Sequence, residues 1–124
     1  MNVDWQAIRE AAGPYPLEAI AFAQEGLRFT VEQLKEHEPE LPEHGRHVSG
    51  QELCFGLRDF AIKQYGMMAM TVLHKWSIYR TEDFGRIIFA LVDAGLMRTT
   101  EDDTLEDFQN VYDFEEAFGA VGVG

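Results

Sequence analysis

Cysteine is almost missing from this chain. Cys54 is its one thiol, so no disulfide can form within it. A reducing compartment suits such a sequence, and the cytoplasm is the expected location. Cations are scarce as well: 10 Lys and Arg stand against 22 Asp and Glu, for a formal net charge of −12. A field of that sign repels phosphate backbones and anionic lipid, which argues against nucleic acid and membrane surfaces as partners. A basic protein partner, or colloidal stability alone, accounts for it equally well. The strongest apolar run, Ile87 to Val92, falls far short of the ~20 residues that a membrane helix needs. The opening Met1-Asn2-Val3-Asp4-Trp5 has neither the basic nor the apolar region of a secretory signal. Catalytic signatures are lacking too: there is no Gly-x-Ser-x-Gly, no phosphate-binding glycine loop and no dinucleotide fingerprint. No cofactor is expected.

What is there is material for one core. The chain has 124 residues, 46% hydrophobic, with 9 Phe, 4 Tyr and 2 Trp. A domain of that size buries enough surface to fold without a metal or a disulfide.

Periodicity divides residues 1–124 into one domain of four parts. Residues 1–36 read as a helical pair. Trp5, Ile8 and Ala12 share a face of the first helix, which Gly13-Pro14 ends. Pro16 opens the second, where Leu17, Ile20, Leu27, Val31 and Leu34 form a stripe that Gln24 interrupts. Phe22 and Phe29 lie seven apart on an adjacent face, so this helix is expected to be buried on two sides. Residues 37–48, rich in Pro, Glu and His, form a loop.

Residues 49–118 carry the order of a winged-helix-like core. Ser49-Gly50-Gln51-Glu52 is a capping box. Behind it Leu53, Leu57, Phe60 and Ala61 face inward, and Asp59 and Lys63 suit an i,i+4 pair. Gly66 punctuates, and a helix over 67–76 turns Ala69, Val72, Leu73 and Trp76 inward. Ser77 to Arg80 reads as extended. Thr81 is the expected N-cap of the clearest helix, striped by Phe84, Ile87, Ile88, Leu91 and Val92 and closed by Gly95 and Leu96. Met97 to Thr100 and Val111 to Phe114 read as two strands of a hairpin. Thr104 to Asp107 caps one helical turn, and residues 119–124 read as a frayed tail. The fold class is therefore mainly α with a small β-hairpin.

In a winged helix, the Thr81–Gly95 helix would read DNA, but it offers Arg86 alone against Glu82, Asp83 and Asp93. The wing is acidic as well, so a protein partner fits better. The expected interaction surface is Glu82, Asp83 and Arg86 on the helix, with Asp102 and Asp103 on the wing. Phe108, Tyr112, Phe114 and Phe118 recur among C-terminal acids. Tyr112 and Phe114 are expected to complete the core, and Phe118 is the one most free to dock elsewhere.

Two alternatives stay open. An enzyme or small-ligand site can lie between the helical pair and the core, near His47 and Glu52. A metal site can draw on His37, His44 and His47, although Pro and Gly in that loop do not fix their spacing. The acidic segment after Asp102 lacks the glycine of a calcium loop. Cys54, between Leu53 and Phe55, reads as a buried and inert thiol, and Gly85 as a glycine of no consequence.

Three stretches together carry a resemblance: His47-Val48-Ser49-Gly50-Gln51-Glu52-Leu53, Arg80-Thr81-Glu82-Asp83-Phe84-Gly85, and Glu106-Asp107-Phe108 through Val111-Tyr112-Asp113-Phe114. With Tyr15-Pro16-Leu17-Glu18-Ala19, they resemble a family of small uncharacterised proteins found chiefly in planctomycetes and verrucomicrobia. The resemblance spans nearly the whole chain and implies a self-contained bacterial protein. It transfers no activity, ligand or site residue. A non-enzymatic protein-interaction or regulatory domain with an acidic surface is the expected function.

Overall fold

The computed structural model describes residues 6, 10, 13–37, 48–97 and 103–119. The expected first helix is represented there by Gln6 and Glu10, both helical and exposed; Trp5, Ile8 and Ala12 lie outside the described residues.

The longest helix, α1 (Leu17–His37), starts behind Pro16 as the sequence suggests. Its deeply buried side is not the leucine stripe. Ala19, Ile20, Phe22, Ala23, Gly26 and Thr30 are buried, whereas Leu27, Val31 and Leu34 are half-buried. Small residues win that side because α1 packs along α2 (Gly50–Tyr65) at very short range. A Cβ on Gly26 would collide with Leu57, and one on Gly56 would collide with Thr30. The Thr30 hydroxyl is spent on the Gly26 carbonyl at 2.7 Å, so two helix backbones meet without an unsatisfied group.

The capping box of α2 is present as expected. The Ser49 hydroxyl accepts from the Glu52 backbone N–H and the Glu52 carboxylate accepts from the Ser49 N–H, each at 3.1 Å. Leu53, Leu57, Phe60 and Ala61 are buried, as their spacing predicts. Asp59 and Lys63 do not form the expected pair. Asp59 Oδ1 instead takes the neighbouring Arg58 at 3.0 Å, and the Lys63 ammonium sits 5.2 Å from the Phe29 ring centroid.

Gly66, at φ +54°, ends α2. A 3-10 turn, Gly66–Met68, then leads into the short α3 (Ala69–Lys75). Its Leu73 is buried, and Trp76 packs on Phe22 with ring centroids 5.6 Å apart. Ser77 turns the chain in the left-handed region, at φ +66°, before Arg80 becomes extended. The last long helix, α4 (Thr81–Asp93), buries Phe84, Ile87, Ile88 and Leu91. It closes as expected: Gly95 is left-handed at φ +79°, and the Leu96 N–H reaches back to the Leu91 carbonyl at 2.9 Å.

The hairpin is corrected, and without it the expected winged-helix-like core is not supported. No strand occurs among the described residues. Leu105–Phe108 is a 3-10 turn, Val111 and Tyr112 lie in a bend, and Phe114–Phe118 is a helix, α5. The alternation of Val111, Tyr112, Asp113 and Phe114 is the same over four residues for a strand and for a capped helix start. Asp113 decides for the helix: its carboxylate accepts the Glu116 N–H at 3.2 Å. Residues 98–100 of the other expected strand lie outside the described residues. The fold is mainly α.

The segment from Thr104 to Phe118 works as a strap across α2 and α4. Phe108 fits over two glycines, since a Cβ on Gly50 or Gly85 would stand 3.0 or 2.8 Å from its ring atoms. Gly85 therefore has a packing role that its isolation in the sequence concealed. Phe118, expected to be free, is buried against Phe114 with ring centroids 5.1 Å apart.

Candidate cleft between the first two helices

Asp83 is not the exposed contact residue that the sequence suggested. It is buried at the start of α4, where its carboxylate collects four donors. Oδ2 accepts the backbone N–H groups of Tyr79 at 2.8 Å and Arg80 at 3.2 Å. Oδ1 accepts the Tyr15 hydroxyl at 2.5 Å and Arg86 Nη1 at 2.8 Å. The carboxylate is the cap of α4 and its tie to the residues before α1. Burial and the hydrogen bond to Asp83 push the Tyr15 hydroxyl up to about 12. Tyr15 escaped the sequence reading because its partner is 68 positions away.

Thr81 is likewise not the cap. It is the first helical residue and fully buried, with its hydroxyl donating to the Phe108 carbonyl at 2.6 Å and accepting the Val111 N–H at 3.1 Å. This pins the strap to α4. Glu82 is half-buried and Arg86 is exposed. Asp103 is half-buried, and Asp102 lies outside the described residues. The five expected contact residues therefore do not make one exposed acidic face.

Cys54 is buried as expected. Burial, followed by the nearby Glu82 charge, pushes its thiol up to about 12, which keeps it protonated and unreactive. The Tyr112 hydroxyl donates to the Cys54 carbonyl at 2.7 Å, and burial pushes its pKa up as well.

The most chemically varied concavity lies where α1 and α2 part beyond the Thr30–Gly56 contact. It is an open cleft of about 230 Å³. Phe29 and Leu34 of α1 and Phe55 of α2 supply apolar wall, Thr30 and Gly56 line it at the close contact, and Gln33, His37, Glu52 and Asp59 add polar groups. Phe55 is partly exposed, yet its position is fixed from behind. Its ring lies 5.4 Å from that of Tyr112, and the Arg58 guanidinium stands 5.0 Å from the Phe55 centroid and 6.0 Å from the Tyr112 centroid. His37 Nδ1 is 2.8 Å from the Gln33 carbonyl.

Glu52 thus borders a cleft between the helical pair and the core, where the sequence placed a candidate ligand site. His47 and His44 lie outside the described residues. Among the described residues no cluster of three His, Cys, Asp or Glu side chains is placed to hold a metal ion. No described helix is long and apolar enough to cross a membrane. No protein-family model, curated protein or solved structure matches this chain.

A second groove, of about 400 Å³, runs between the leucine stripe of α1 and the end of α4. Leu27, Val31, Leu96 and Met97 line it, with Arg28, Glu32 and Lys35 at its edge. Its half-buried leucines and valine explain why the strongest stripe of α1 is not the deepest part of the core. Its charges are of mixed sign.

Proposed function

We propose that this chain is a non-enzymatic protein-interaction domain that receives a basic, apolar-anchored segment of a partner protein in the cleft between α1 and α2. The observation that carries this reading is the pairing of the Phe29 and Phe55 walls with Glu52 and Asp59 in a chain of net charge −12. Aromatic walls anchor a large side chain, and carboxylates beside them favour a cationic neighbour and disfavour an anionic one. Attraction by the net charge raises the encounter rate with a basic partner.

The test is a titration of isotope-labelled protein with short lysine-rich peptides containing one leucine or tryptophan. Movement of the Phe29, Gln33, Phe55 and Asp59 resonances is the expected result, with no response to glutamate-rich peptides of the same length. Perturbation confined to other surfaces, or none with any basic peptide, overturns the proposal.

A second reading, a small-ligand site, draws on the presence of His37 and Glu52 at the same cleft. A compound library that raises the melting temperature of the wild-type protein but not of Phe55→Ala would support it.

A further inference from the structure

A pocket of about 250 Å³ opens where the start of α1 meets the end of α2, at the other end of that helix pair from the cleft. Helix spacing builds its lining. Glu18, Phe22 and Glu25 stand at i, i+4 and i+7 on one side of α1, and Phe60 and Gln64 at i, i+4 on α2. Gly66 then turns the chain, and α3 brings Trp76 back onto Phe22 and Tyr65. Phe22 and Phe60 are buried and form the floor. Tyr65 and Trp76 are half-buried and form the walls, with ring centroids 5.9 Å apart and planes at 80°. A near-perpendicular pair leaves a corner where one small group can reach both ring faces. Glu18, Glu25 and Gln64 are exposed at the rim.

The chain does not itself satisfy these groups. No Lys or Arg lines the pocket. The cation–ring contacts of the described residues fall on Phe29, Phe55 and Tyr112, none of which belongs to it. Among the described residues, neither Glu18 nor Glu25 enters a hydrogen bond or an ion pair. We infer that this pocket binds a methylated ammonium group, carried by a small cation or by a lysine side chain of a partner protein. Ring faces are negative and attract a cation, and methyl groups on its nitrogen gain apolar contact with the same rings. An unmethylated ammonium suits the pocket less well. It brings three N–H donors, and a floor and walls of aromatic carbon offer them no acceptor in place of water. A trimethylated nitrogen has no donor to satisfy. The rim carboxylates add attraction across a distance, without having to touch the nitrogen. The volume lies just below the roughly 300–1,000 Å³ of ordinary small-molecule pockets, which suits a compact head group rather than an extended ligand. This site is separate from the cleft and does not rest on the reading given for it.

The test titrates the isotope-labelled full chain with choline, with its neutral isostere 3,3-dimethylbutan-1-ol, and with a short peptide whose single lysine is trimethylated or unmodified. Choline is expected to move the Trp76 indole and the Phe22 and Gln64 amide resonances. It is expected to bind about tenfold tighter than the neutral alcohol, the factor that a partly desolvated cation–ring contact supplies. The trimethylated peptide is expected to exceed the unmodified one by a similar factor. Glu18→Gln combined with Glu25→Gln weakens choline several-fold and leaves the alcohol unchanged. Both positions are exposed, so an unchanged melting curve accompanies that loss. A trimethylated peptide that binds more tightly than choline assigns the site to a partner's lysine; otherwise the free cation is the occupant. Equal affinity for choline and the alcohol overturns the inference, as does failure of both methylated probes to move those resonances. Equal affinity for the two peptides overturns the selectivity for methylation.

Discussion

Thr81 shows how much one buried hydroxyl can organise. Its oxygen donates to the Phe108 carbonyl and accepts the Val111 N–H, two groups that would otherwise be shielded from water without a partner. Replacing it by valine keeps the shape and removes both bonds. Thr81→Val is expected to lower unfolding stability by roughly 2–4 kcal/mol, read from the urea midpoint, since each orphaned buried group costs about 1–3 kcal/mol. A loss below 0.5 kcal/mol, the size of an ordinary surface substitution, would show that the strap is held by its rings alone. Asp83 makes the same point about charge: as a residue type it belongs on the surface, and four converging donors make its burial tolerable.

At the scale of elements, two glycines decide how closely the strap can approach. A Cβ at position 85 would stand 2.8 Å from Phe108 Cγ, inside the ring contact rather than at the end of a flexible chain. Gly85→Ala improves the helix propensity of α4 by about 1 kcal/mol and yet is expected to destabilise the fold, because displacing Phe108 costs more than that gain. A melting temperature lower than wild type by several degrees is the expected result; an increase would refute the packing role.

The longer helices were legible in the sequence. Ser49 and Glu52 announce α2, the stripe from Phe84 to Leu91 announces α4, and Gly95 announces its end. What was not legible depends on residues distant in the chain. The alternation at Val111 to Phe114 cannot distinguish a strand from a capped turn, and no local pattern says that Phe108 seeks Gly50 and Gly85. The leucine stripe of α1 is a correct helical signal, but its burial is decided by Gly26 and Gly56, which let the other side come closer to α2. For the candidate site, Glu52 was legible as a residue between the helical pair and the core. Phe29, Phe55 and Asp59 become its neighbours only once α1 and α2 part.

For the whole molecule, the buried ionisable groups set a pH limit. Burial raises Cys54 from 9.0 to about 12 and Tyr15 from 10.0 to about 12, so the folded state holds protons that the unfolded chain has begun to lose. With more protons bound in the folded state, stability falls as pH rises. The contribution is fully present below about pH 9 and is lost between there and about pH 12. Urea midpoints at pH 8, 9, 10 and 11 are expected to decrease in that order, and Cys54→Ala is expected to flatten the earliest part of the decline. A midpoint constant to pH 11 would contradict the burial of both groups.

The strap also fixes the order in which the molecule can be completed. Phe108, Phe114 and Phe118 are synthesised after the helices they cover, and Thr81 waits at the start of α4 for a carbonyl made 27 residues later. A growing chain can bring α1 and α2 together early, but the depression around Gly50 and Gly85 stays open to water until Phe108 arrives. Arrival of the last aromatic rings is the event that closes it.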